Sequence, residues 1–216
     1  MERLKVPRCH TPPPLDGRLS GVWLAGAEVR PLPQHDGRPA IQETAVRLVY
    51  DSHHLYVAFR CHDNDIWGTL HERDDPIYDE EVVEVFLDPE GAGRRYFEIE
   101  VSPHNVVLDG INTWDNGELR WDDSWDCAGL RTAVAMDGDA GPELTADRWW
   151  SATLAIPFDA LGLAAPRAGE AWRANLYRIE RSRRTGEEFQ AWRPTQQPGE
   201  PPMYNVPARF GWLEFG

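Results

Sequence analysis

The chain has 216 residues, 41% of them apolar and 27% charged, with a formal net charge of −14 at pH 7. That length suits one domain spanning residues 1–216, and the apolar share can fill a complete core. The acidic balance argues against nucleic acid and anionic membrane surfaces as partners, because both need a basic face, and it leaves neutral ligands, cations or calcium.

Residues 1–16 form an extended, proline-rich lead-in, MERLKVPRCHTPPPLD, with no apolar stretch of the signal-peptide kind. No apolar run approaches membrane-spanning length. As written, the chain reads as cytoplasmic; with a leader removed it would read as extracellular. Three widely spaced cysteines, Cys9, Cys61 and Cys127, make neither a disulfide framework nor a zinc site. The ten tryptophans exceed what core filling needs, so one or two aromatics are available for a stacking platform.

The first buried segment centres on Trp23 and Leu24. VRPLPQHDGRPAIQ is a loop or irregular edge strand, since its prolines exclude a central position. A period of two then predicts strands at TAVRLVY and LYVAFRC, joined by the turn DSHH. An acidic loop covers 62–80. EVVEVFLD, the turn PEGAG, RRYFEIEV and NVVLDG continue the strand pattern, and 112–127 read as a Trp- and Asp-rich connection. GLRTAVAM and RWWSATLAI are strands. PFDALGL is one helical turn, with Pro157 at its start and Gly162 near its end. AWRANLYRIER, FQAWRP and RFGWLEF complete a set of short strands without a long amphipathic helix. This predicts an all-β fold, an antiparallel β-sandwich.

The strand interiors raise a question, because they carry carboxylates. In VVEVFLD, Val83, Val85 and Leu87 alternate with Glu84 and Phe86; in YFEIEV, Phe97, Ile99 and Val101 alternate with Tyr96, Glu98 and Glu100. In NLYRIER, Arg178 and Glu180 oppose Tyr177 and Ile179. The acids are therefore expected on the outer face of one sheet. One reading is a solvated face with cross-strand pairs of roughly 0.2–1 kcal/mol each. The other is a polyol site: carboxylates and a guanidinium bond hydroxyls, and aromatic rings stack on the C–H faces of a sugar.

Seven stretches in order resemble the family 9 carbohydrate-binding modules and their single-domain, family 9-like relatives. They are LDGRLSGVW, TAVRLVYDSHHLYVAFRCHD, YDEEVVEVFLDP, YFEIEVSPHNVVLD, WWSATLAIPFDALGL, WRANLYRIER and YNVPARFGWLEF. The resemblance implies an immunoglobulin-like, jelly-roll-like sandwich that binds mono- or oligosaccharides, often at a chain end, between two aromatic rings. It places those rings at Tyr78 and Tyr204, a sugar-contacting acid at Glu84, and hydrogen-bonding positions at Glu98, Glu100 and Ser102. The sequence departs from the family in having tyrosine where tryptophan is usual at both rings. Glutamate also replaces a basic residue of the neighbouring strand, a role left to Arg178. Trp192, in FQAWRP, is a candidate third ring. Family members often carry structural calcium, for which HDND (62–65) and ERDD (72–75) are oxygen-rich loops; no cofactor is required.

Two other classes stay open. Glu84 and Glu100 could serve a glycoside-transforming enzyme if separated by about 5–9.5 Å, and Met203 could ligate a haem. His53 and His54 fall in a predicted hairpin turn, and the seven histidines make no spaced metal set. The main expectation is carbohydrate binding without transformation.

Overall fold

A computed structural model describes residues 3–216. Thirteen strands occur among the described residues. In chain order they are β1 (Arg3–Val6), β2 (Ala27–Val29), β3 (Thr44–Tyr50), β4 (His54–His62), β5 (Val82–Asp88), β6 (Arg95–Val101), β7 (Val107–Asp115), β8 (Glu118–Asp122), β9 (Arg131–Asp137), β10 (Trp149–Pro157), β11 (Ala171–Ser182), β12 (Gly186–Ala191) and β13 (Gly211–Phe215). The helical residues are single 3-10 turns at Gly21–Ala25, Ile77–Asp79 and Pro207–Arg209.

The strands form a sandwich. A five-stranded antiparallel sheet runs β2-β3-β4-β10-β9, and an eight-stranded sheet runs β1-β13-β11-β5-β6-β7-β8, with β12 also paired to β11. Only the β1–β13 pair in the larger sheet is parallel. Between the sheets, Val46, Leu48, Val57 and Phe59 of β3 and β4 pack with Val83, Val85, Ile99 and Val101 of β5 and β6. These are the residues whose alternation predicted the strands. Each such side chain contributes roughly 1.5–3 kcal/mol by leaving water. Trp150 and Trp172 are fully buried in the same layer, and Cys61 is buried there too.

The local turns follow their residues. Asp51 accepts hydrogen bonds from the backbone N–H of His53 (2.7 Å) and His54 (2.8 Å), which fixes the β3–β4 hairpin. PFDALGL, expected as one helical turn, instead forms non-helical turns closed through Leu161 N–H to Phe158 O (3.1 Å) and Gly162 N–H to Asp159 O (2.9 Å). The 112–127 connection, by contrast, contains the end of β7 and all of β8. Asn116 and Gly117 take φ of 52° and 85°, the left-handed pair that a tight hairpin turn demands.

The outer face of the larger sheet is not open to water. Phe86, Tyr96, Tyr177, Ile179, Tyr204 and Phe210 form a second buried apolar cluster there. The expectation of a solvated face is corrected accordingly: every residue of β5 is buried. Segments around Ile77 and from Tyr204 to Phe210 cover part of the face and leave a pocket between them.

Candidate functional site

The pocket has a volume of about 440 Å³ and lies over the middle of β5, β6 and β7. Register builds its floor. Glu84 of β5 stands opposite Glu100 of β6, and Phe86 opposite Glu98. Tyr177 of β11 stands opposite Glu84 on the other side. Period-two alternation therefore gathers Glu84, Glu98 and Glu100 onto one face, and their carboxylate oxygens lie within 4.8 Å of one another.

These acids are buried and incompletely paired. Asn112 Nδ2 donates to Glu98 Oε2. Glu84 Oε1 and Glu100 Oε2 meet no hydrogen-bond partner. Burial holds Glu84 well above the usual carboxylate range, with Glu98 adding to the effect. Burial does the same to Glu100, reinforced by the charges of Glu84 and Glu98 and by a hydrogen bond shared with Glu98. Glu98 is pushed up to about 7 by burial, against the opposing pull of its bonds to Glu100 and Asn112. Three carboxyl groups this close and this dry cannot all ionise without a compensating charge.

Aromatic rings form the walls. Tyr78, in the 3-10 turn before β5, is 45% exposed, and Trp121 on β8 is 39% exposed. Both line the pocket with Phe86, Phe189 and Tyr204. Tyr204 is locked in place. Its ring stacks on Tyr177 with centroids 4.0 Å apart and planes 14° apart. Its hydroxyl donates to Arg178 O (2.8 Å), while Tyr177 Oη donates to Tyr204 O (3.0 Å). Tyr96 Oη donates to Asn205 Oδ1 (2.5 Å), tying down the same segment. At the other side, Gly110 makes room for the indole: a Cβ there would lie 2.5 Å from a Trp121 ring carbon.

A pocket with an acidic, buried floor and aromatic walls on a β-sandwich suits a polar, ring-shaped ligand. The sequence matches the pattern of carbohydrate-binding family 9 over residues 34–215. The chain belongs to that family. Among solved structures, a candidate carbohydrate-binding protein from Bacteroides uniformis is similar to this family 9 chain at 19% identity and a TM-score of 0.76, with 100% of this chain and 99% of that one covered. A family 9 module from Caldicellulosiruptor kristjanssonii in complex with cellotriose matches at 16% identity and a TM-score of 0.65, covering 99% and 93%. The same organism's module in complex with glucose matches at 15% identity and 0.66, covering 98% and 95%. No curated protein matches the chain.

Of the site residues expected from sequence, the family 9 pocket brings together Tyr78, Glu84, Glu98, Glu100 and Tyr204. Two others are corrected. Arg178 alternates with Tyr177 and Ile179, which face the pocket side, so it points between the sheets and is fully buried. There Nη1 donates to His62 O (2.7 Å) and Nη2 to Asp63 Oδ2 (2.8 Å) and Glu180 Oε2. Trp192 follows Ala191, whose side is the pocket side, and packs in the inter-sheet core instead. Ser102 lies beyond the pocket, with its Oγ accepting from Val106 N–H (3.3 Å). Sequence reasoning missed Trp121 and Asn112 as lining residues. The Asn116-Gly117 pair was the signal that could have placed both on a hairpin.

Behind the pocket, between the sheets, Asp63, Glu81 and Glu180 form a second trio with ligand atoms within 4.8 Å. Arg178 is the cation among them, and neither oxygen of Glu81 meets a hydrogen-bond donor. Burial holds Glu81 well above the carboxylate range, and it pushes Glu180 up to about 8 despite Arg178. Three carboxyl groups against one guanidinium, with spare oxygens, suit a hard divalent cation such as calcium. Each calcium-suited loop thus supplies an acid to a cluster. Asp63 of HDND joins this trio, while Asp74 of ERDD joins Asp109 and Asp126. Arg73 already bridges the latter group, at 2.6 Å from both Asp109 and Asp126.

Proposed function

We propose that this family 9 domain binds a carbohydrate in the outer-face pocket without transforming it. The supporting observation is the pairing of unsatisfied buried acceptors, Glu84 Oε1 and Glu100 Oε2, with the exposed rings of Tyr78 and Trp121 around one cavity. Sugar hydroxyls donate to the glutamates and to Asn112 Oδ1, and the C–H faces rest on the rings. Tyr204, stacked on Tyr177, shapes the wall more than it receives a ring. The glucose and cellotriose held by the Caldicellulosiruptor kristjanssonii modules support a hexose-sized ligand. Burial favours the protonated form of Glu84 and Glu100, and protonated carboxyl groups make poor nucleophiles. Titration of a panel of mono- and oligosaccharides should change the tryptophan fluorescence and release no reducing ends. Release of reducing ends that Glu84→Gln abolishes would overturn the non-catalytic reading.

The same domain takes a structural calcium ion, which Asp63, Glu81 and Glu180 would hold. Each group already holds one arginine, and the spare oxygens of Glu81 support this site over the Asp74 group.

A further inference from the structure

The chemistry of the pocket floor is one-sided. Glu84, Glu98 and Glu100 offer carboxylate oxygens, and the Nδ2 of Asn112 is engaged by Glu98. Among the described residues, no lysine, arginine or histidine side chain lines the pocket. Arg181, on the same face of β11 as Tyr177, is engaged by Glu187 at 2.5 Å and by the carbonyl of Tyr78 at 3.3 Å, with its guanidinium over the Phe189 ring. A hydroxyl brings one proton and two lone pairs, so it suits the trio only while a carboxyl group there keeps a proton to donate back. A primary ammonium brings three donors and no acceptor, which matches three acids whose oxygens lie within 4.8 Å of one another. Two of those acids, Glu84 and Glu100, line the pocket, and each keeps one buried oxygen that meets no donor. The rings of Phe86, Tyr78 and Trp121 present further negative faces to a cation.

We infer that the pocket selects a sugar carrying a free primary ammonium, an amino sugar whose –NH₃⁺ docks on Glu84, Glu98 and Glu100. This rests on the carbohydrate reading and narrows it. A neutral sugar leaves the trio to retain its shared protons, whereas an ammonium replaces them. Binding therefore expels protons from the trio. The titratable groups facing it are the glutamates themselves from β5 and β6, Tyr177 from β11, and Tyr78 and Tyr204 from the covering segments.

The test is calorimetric titration at pH 7 with EDTA present, in two buffers of different ionisation heat. The ligands are glucosamine, galactosamine and mannosamine, their parent hexoses, their N-acetyl derivatives, and ethanolamine as a sugar-free amine. At least one free hexosamine should bind at least about tenfold tighter than its parent and its N-acetyl form, with proton release. Glu100→Gln, checked for folding by its melting transition, should bring that ratio towards one, while Trp121→Ala should weaken all sugars alike and keep the ratio. Hexoses binding as tightly as hexosamines would overturn the ammonium inference and leave the sugar reading standing. Ethanolamine matching the best hexosamine would overturn the sugar reading. Absence of binding by every ligand would overturn both, and a hexosamine preference that needs added calcium would overturn the direct contact.

Discussion

Two trios of carboxyl groups lie on opposite sides of the larger sheet. The inner one, Asp63, Glu81 and Glu180, surrounds the guanidinium of Arg178 and is sealed between the sheets. The outer one, Glu84, Glu98 and Glu100, has no cation and opens to a pocket. In each trio one oxygen per acid lies within 4.8 Å of the others, so closeness alone does not set their roles. What differs is where the compensating charge comes from. Inside, the chain supplies part of it through Arg178; outside, a ligand must supply it.

The largest expected effect lies in the inner trio. Arg178→Met removes the guanidinium paired with Asp63 and Glu180 and should lower stability by about 3–5 kcal/mol in urea denaturation at pH 7.5, as for a broken buried pair. A variant as stable as the parent would mean that the guanidinium compensates nothing. Next, calcium at 100 times its dissociation constant should stabilise the fold by about 2.7 kcal/mol. A chelator or Glu81→Gln should abolish that gain, read as a melting-temperature shift, while Glu84→Gln should leave it intact. If Glu84→Gln abolished it as well, the two trios would not be distinct.

Neutralising an acid of the outer trio should act in the other direction and stabilise the fold. Glu98 has its carboxyl raised to about 7, and Glu84 and Glu100 are raised as well. The folded state therefore keeps protons that the unfolded chain releases. Their contribution to stability is complete below about pH 4.3, the unfolded value, and for Glu98 is lost as pH rises through 7. Glu100→Gln should thus raise the stability at pH 8 by roughly 1–3 kcal/mol, the scale for relieving a buried unpaired group, and by much less at pH 5. Melting scans at the two pH values check this, and equal shifts would contradict it. The smallest effects belong to the walls. Tyr78→Ala and Trp121→Ala should each cost on the order of 1 kcal/mol of sugar binding and within about 0.5 kcal/mol of stability.

Legibility differed between the same two regions. Glu84, Glu98 and Glu100 could be placed on one face because alternation within a strand is local and strict. Arg178 was assigned to the wrong face although its neighbours were read correctly. Alternation says that Arg178 opposes Tyr177, but not which of them faces the pocket. That depends on pairing Tyr177 with Glu84 across β11 and β5, a contact between distant parts of the chain. Trp192 failed for the same reason. Trp121 was missed because a polar, Trp-rich stretch reads as a loop until its Asn-Gly turn is given weight.

The sequence by itself determined the β-sandwich, the family, the alternation that sets the acids apart from the core, and the turn residues. These rest on short-range backbone geometry and on the period of two. Only the tertiary structure decided that one acidic trio is sealed around a guanidinium while the other floors a pocket. Cross-strand register and the covering segments bring charges together from positions far apart in the chain, and the cost of burying those charges depends on what meets them there.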